Sequence, residues 1–229
     1  MSGARNSFFP FHALGFRCNP FRALTDEEWG EIALLPPEVA DALPAGGHLQ
    51  IVGETGSGKT SALLALWKHF REEGRSVVYE YLPAGTTTFR ADLRSPDVLL
   101  LDEAQRLNRR ARRRLAAAAK GAARLILSSH EDLSPLFERS GVALTTVRLT
   151  APSSARLRHM LHRRLAYFAL PAGRFPPFSD DALDALRRAC GGNLRAMERC
   201  LYEAFQAWAA AGSVPVPVTA PVLKPFLDE

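Results

Sequence analysis

Apolar residues fall in short unbroken runs through the middle of the chain and in helical stripes toward its end, and this change of period divides it. The runs Leu49 to Val52, Val77 to Leu82, Val98 to Leu101 and Arg124 to Leu127, with a weaker one at Thr146 to Leu149, lack the polar alternation of strands with one wet face. Strands buried on both faces predict a parallel sheet covered by helices. Between the first two runs, Lys59 to Phe70 reads as a helix that stops at Gly74. After Thr150 the strand signal ends. Leu157, Met160, Leu161, Leu165 and Phe168 form one helical stripe, and Leu194, Met197, Leu201, Phe205 and Trp208 form another. Ser179 to Cys190 is a capped helix between them, closed by Gly191-Gly192. Ahead of the sheet, an aromatic and proline-containing lead-in from Asn6 to Leu24 precedes a capping box, Thr25-Asp26-Glu27-Glu28. That box opens a helix ending before Pro36-Pro37, and a second short helix covers Glu38 to Leu43. The pattern predicts four segments: a lead-in over 1–46, an α/β core over 47–150, a small all-helical domain over 151–212, and an extended proline-rich arm over 213–229.

Composition narrows the class. The 229 residues, 47% hydrophobic and 23% charged, suit an ordinary soluble globular protein of one large or two small domains. The formal charge of +5 leaves room for a polyanionic partner. Cys18, Cys190 and Cys200 are odd in number and irregularly spaced, which speaks against a disulfide framework or a zinc cluster and for a reducing, cytoplasmic setting. No segment approaches the roughly 18 apolar residues needed to span a bilayer, so no membrane role is expected. The six histidines show no ligand spacing with cysteines or carboxylates.

Chemistry concentrates in two places. Gly53-Glu54-Thr55-Gly56-Ser57-Gly58-Lys59-Thr60 fits the pattern G-x-x-x-x-G-K-[ST], with a strand before it and a helix after it. Such a glycine-rich loop turns its backbone N–H groups toward phosphates. Lys59 is expected to reach the β- and γ-phosphates of ATP, and the Thr60 hydroxyl to ligate Mg²⁺. The second place is Val98-Leu99-Leu100-Leu101-Asp102-Glu103, a buried strand that delivers two carboxylates at its carboxyl end. Asp102 is expected to hold Mg²⁺ and Glu103 to orient an attacking water. Seen alone, the pair would also serve as a helix cap. Asp-Glu favours hydrolysis over phosphoryl transfer to a metabolite, although a kinase using the arginines at 109 to 114 on a phosphate acceptor is a further alternative.

Together these residues resemble the AAA+ ATPases. Leu101-Asp102-Glu103-Ala104-Gln105-Arg106-Leu107 is similar to the segment of the branch that holds the TniB and TnsC transposition ATPases, the ExeA-like ATPases and the Orc-type initiators, and Leu14-Gly15-Phe16-Arg17-Cys18-Asn19-Pro20-Phe21 resembles the opening motif of the ExeA and TniB group. The resemblance runs from about Leu14 to Trp208 and implies a P-loop NTPase three-layer α/β/α sandwich followed by a small helical lid. It also implies Ser129, with Ser128 as the near alternative, at the sensor 1 position; Arg195 in Gly192-Asn193-Leu194-Arg195 as the sensor 2 arginine; and Arg139 as an arginine finger acting on a neighbouring subunit. A solvated helix face remains the alternative for Arg195, and a surface position for Arg139.

Partners follow from the same resemblance: a homo-oligomer, double-stranded DNA, and a protein such as a transposase or other effector. The run Arg109-Arg110-Ala111-Arg112-Arg113-Arg114, with Arg156, Arg158, Arg163 and Arg164 later on, suits DNA phosphates or a merely solvated face. Only Pro83 to Pro96 separate the second and third strands, where the family carries a longer element. Thr86-Thr87-Thr88-Phe89-Arg90 is then a reduced contact loop at most. A nucleotide-gated adaptor that binds protein through its proline-rich tail, without DNA, is the alternative role.

Overall fold

The structure is a computed structural model that describes residues 10–93, 95–171 and 175–227. It divides into two compact units, one over Thr25–Thr150 and one joining residues 10–24 to 151–227. The start of the lead-in, Asn6 to Phe9, and the last two residues of the tail lie outside the described residues.

The first unit is built on five parallel strands, β1 (His48–Val52), β2 (Val77–Tyr81), β3 (Val98–Asp102), β4 (Arg124–Ser129) and β5 (Leu144–Arg148). They lie in the order β2-β3-β4-β1-β5. The unbroken apolar runs work because each face of the sheet is covered. Leu99 and Leu101 of β3 and Leu125 and Leu127 of β4 face one cluster, with Ala111 and Leu115 of α4 (Arg109–Ala118) and Phe137 of α5 (Ser134–Glu138). Val98, Leu100, Ile126, Leu49 and Ile51 face the other, with Leu63, Leu66 and Phe70 of α3 (Lys59–Glu72) and Val39 of α2 (Pro37–Ala42). The helix α1 (Asp26–Ile32) packs against α3 and opens on the expected capping box between Thr25 and Glu28. The result is the three-layer sandwich that the pattern predicts.

Two strand boundaries move by two residues. β5 begins at Leu144, opposite His48, two residues before the expected run; this edge strand buries only Leu144 on one face and Val147 on the other, so it shows no continuous apolar run. β4 continues through Ser128 and Ser129, both buried, where the polar strand end lies beside the carboxylates of β3.

The second unit contains α6 (Ser154–Phe168), α7 (Asp180–Ala189), α8 (Leu194–Ala211) and the short α9 (Ala220–Leu223). Both stripes are core: Leu157, Leu161, Leu165 and Phe168 of α6 and Met197, Leu201, Phe205 and Trp208 of α8 are buried. Residues of the lead-in belong to this unit and not ahead of the sheet. Phe16 is fully buried, bridges to Ala169 and meets the Phe205 ring edge-on at 5.7 Å. Arg164 lies buried on α6, pairs with Glu198 and donates to the carbonyls of Pro20 at 2.6 Å and Arg22 at 2.8 Å. It is therefore not available to DNA. Burial pushes the Glu198 carboxyl up, with Arg164 opposing.

The expectation of an extended carboxyl-terminal arm is corrected. Val218 is fully buried in a bridge to Phe178, the Ala220 N–H donates to Asp181 at 3.0 Å, and the Phe226 ring meets Trp208 at 6.2 Å. Pro221 sits in the first turn of α9, where a missing N–H costs nothing, and Val218 and Leu223 on either side of it are buried while Val216 stays exposed.

Candidate phosphate-binding site

β1, β3 and β4 place their carboxyl ends side by side, the position where open α/β sheets bind ligands. β1 runs into the loop 53–60. Gly56 and Gly58 sit at φ of 79° and 94°, a left-handed region that favours glycine. Gly53 has no room for a side chain, since a Cβ there would lie 2.6 Å from Ser57 Oγ. Gly58, which precedes α3, has no side chain with which to cap the first N–H groups of that helix. Lys59 is buried, and its Nζ donates to the Gly53 and Glu54 carbonyls at 2.8 and 2.9 Å. The Ser57 hydroxyl is buried without a hydrogen-bond partner among the described residues. Glu54 and Thr55 are exposed at the loop tip, and Thr60 is half-buried in the first turn of α3.

β3 ends in Asp102, fully buried. Its Oδ1 accepts from the Glu103 N–H at 3.0 Å and from Ser128 Oγ, and its Oδ2 accepts from Tyr79 Oη at 3.2 Å. Burial and the Asp102 charge together raise the Tyr79 phenol well above its ordinary range, so it remains a neutral donor. Glu103 is left-handed at φ 63°, a conformation uncommon outside glycine that here turns the carboxylate out of the strand. Its Oε2 accepts from Gln105 Nε2 and Arg106 Nη2, both at 2.8 Å. Its Oε1 lies 3.5 Å from His130 Nε2.

The two serines of β4 differ. Ser128 reaches Asp102 and accepts from the Glu103 N–H at 3.0 Å, whereas Ser129 Oγ accepts from the Glu131 N–H at 3.1 Å. Arg139 lies outside this constellation. It is exposed at the end of α5 and lines a cavity of about 340 Å³ with Arg109, Arg112 and Asp132. Arg195 belongs to the helical unit, exposed in the first turn of α8, where Asn193 caps its N–H at 3.0 Å.

A hydroxyl and one carboxylate are a lean donor set, and no group of three or more His, Cys, Asp or Glu suited to a metal occurs among the described residues. That fits Mg²⁺, which keeps much of its water and takes further oxygens from substrate phosphates. It does not fit zinc or an all-protein calcium cage.

The basic run resolves into unlike residues. Arg112 turns inward, donating to the carbonyls of Gln105 and Leu107 and to Glu131. Arg114 lies over Phe89 with its guanidinium 4.5 Å from the ring centroid, while Arg109, Arg110 and Arg113 are exposed. Ala116 and Ala119 extend the buried face formed by Ala111 and Leu115 of α4. The reduced contact loop is tied down: Glu80 accepts from the N–H groups of Arg90 and Ala91, and Phe89 is buried.

Sequence reasoning passed over His130, Tyr79 and Gln50. Gln50, fully buried on β1, donates to Thr146 at 2.7 Å and to Asp132, and accepts from the Leu133 N–H at 2.9 Å. A lone polar residue inside an apolar run was the available signal.

Among solved structures, a Thermotoga maritima RuvB Holliday junction branch migration motor matches at a TM-score of 0.61 and 15% identity, over 87% of this chain and 72% of that one. Domain III of the Thermotoga maritima replication initiation protein DnaA matches at 0.60 and 18% identity, over 91% of this chain and 100% of that one. AMPPCP-bound DnaA from Aquifex aeolicus matches at 0.51 and 20% identity, over 82% of this chain and 61% of that one. The fold is shared with these RuvB and DnaA structures. No protein-family model and no curated protein matches the sequence. The likeness to these structures is therefore one of backbone geometry, and the loop 53–60 and the pair Asp102-Glu103 stand at the strand ends of that fold. No helix among the described residues is long and apolar enough to cross a membrane.

Proposed function

We propose that this chain is a Mg²⁺-dependent AAA+ ATPase that assembles with nucleotide into a homo-oligomer and loads or regulates a protein partner, such as a transposase or other effector, on double-stranded DNA. The observation that carries the hydrolytic part is a buried Lys59 beyond the carboxyl end of β1 and a turned-out Glu103 beyond that of β3, with β4 between the two strands. In this reading the loop N–H groups, the start of α3 and Lys59 hold the phosphates of ATP. Thr60 and Asp102 hold Mg²⁺, which neutralises phosphate charge when bound. Glu103 keeps Oε2 on Gln105 and Arg106 and uses Oε1 to accept from the attacking water. Arg139 supplies a fixed positive charge to a neighbour's site, and Arg195 couples the helical lid to nucleotide.

Membership of the TniB, TnsC and ExeA branch rests on the segments Leu14 to Phe21 and Leu101 to Leu107. The DNA part draws support from the neighbours, a branch migration motor and a replication initiation protein, and from the exposed Arg109, Arg110 and Arg113. An adaptor without DNA is favoured by one observation, the short tied-down link between β2 and β3. The test is retention on duplex DNA with ATP across a salt series. Binding that weakens steeply as salt rises supports the DNA role, because phosphate contacts release counterions. No binding even at low salt gives the adaptor reading the better claim.

A further inference from the structure

We propose that His130, and not a hydroxyl of β4, is the group at this strand end that contacts the γ-phosphate, from a position between Lys59 and Glu103. The inference rests on the ATPase reading above and adds a residue that the sequence motifs do not assign.

β4 delivers three polar side chains in succession, and two are already engaged away from the loop. Ser128 is buried on Asp102 and the Glu103 N–H, and Ser129 accepts from the Glu131 N–H. His130 is only partly buried, its side chain 32% exposed. Both ring nitrogens lie 3.5 Å from Lys59 Nζ, and Nε2 lies 3.5 Å from Glu103 Oε1. These are contacts at the outer limit of hydrogen bonding, easily exchanged for a better acceptor.

The backbone that carries the ring is also held. The His130 N–H donates to Gln105 Oε1 at 3.3 Å, and Gln105 Nε2 donates to Glu103 Oε2 at 2.8 Å. One amide thus ties the backbone of His130 and the Glu103 carboxylate together. Since Oε2 also carries Arg106, Oε1 is the oxygen left for a water, and it faces His130. A phosphoryl group drawn to Lys59 and a water held on Oε1 would both come within reach of the same ring. Imidazole always carries at least one N–H, so it donates to phosphate whichever tautomer is present. The ligand class is the terminal phosphoryl of a nucleoside triphosphate, which a diphosphate lacks.

The experiment is a calorimetric titration with Mg²⁺ and either ADP or the non-hydrolysable analogue AMPPCP. The proteins are the unmodified chain and the variants His130→Ala, His130→Asn, Ser128→Ala and Ser129→Ala. The unmodified protein should bind AMPPCP more tightly than ADP. His130→Ala should keep its affinity for ADP and lose about tenfold for AMPPCP, the worth of one hydrogen bond to a charged group. His130→Asn, whose amide also donates, should recover part of that loss and serves if the alanine variant folds poorly. An unchanged ratio of the two affinities in His130→Ala overturns the inference, as does an equal loss for both nucleotides, which would make His130 a prop for Lys59. Loss of the ratio in either serine variant but not in His130→Ala would return the contact to a hydroxyl. Failure of the unmodified protein to bind either nucleotide would overturn the ATPase reading itself.

Discussion

Lys59 is held by two carbonyls of its own loop, in a place where a phosphate would offer a stronger acceptor. Lys59→Ala should therefore weaken ATP binding roughly hundredfold or more, since it removes a charge-assisted contact to phosphate. Unchanged affinity by calorimetry would sink the phosphate-site assignment. The loop and the pair Asp102-Glu103 were legible in the sequence because their chemistry is local: a fixed spacing sets the turn, and one strand end sets the carboxylates. His130 was not legible. Its place depends on where Ser128 and Ser129 point at the end of β4 and on the left-handed turn at Glu103. Arg112 misled for a similar reason, since composition cannot distinguish an arginine that faces water from one that donates to two carbonyls beneath it.

Among the elements, β1 carries one buried polar residue, Gln50, between Leu49 and Ile51. Gln50 joins β1 to β5 through Thr146 and to the start of α5 through Asp132 and Leu133. Gln50→Leu keeps the volume but leaves the buried Leu133 N–H without its acceptor, and it should cost about 1–3 kcal/mol. A urea midpoint equal to that of the unmodified protein would show that Gln50 is dispensable. In the helical unit, Gly192 sits at φ 79°, and a Cβ there would come within 2.4 Å of the Ala151 Cβ. Gly192→Ala should lower stability by about 1–3 kcal/mol through strain and overpacking together, and an unaltered melting temperature would contradict that. The continuous runs revealed β1, β3 and β4, whose two faces are both covered. The tail and the lead-in were misread because Val218, Phe226 and Phe16 find their partners far along the chain, and short proline-containing segments carry no period to announce it.

At the scale of the molecule, the proposed function pairs a nucleotide site on one subunit with Arg139 of the next. Arg139→Ala and Lys59→Ala should each be nearly inactive, while their mixture recovers part of the activity as mixed oligomers pair an intact loop with an intact finger. If both variants assemble and exchange subunits and no activity returns, Arg139 does not act in trans, and Arg148, which lies 3.6 Å from Asp132, is the next residue to test. All of this presupposes hydrolysis at the loop, which a paired measurement on Glu103→Gln decides. The amide keeps the size of the carboxylate but cannot accept a proton, so the variant should bind ATP as the unmodified protein does while its turnover falls by about 10²–10⁴-fold. Turnover at the unmodified rate, with binding intact, would contradict the assignment of the water-orienting group to this carboxylate.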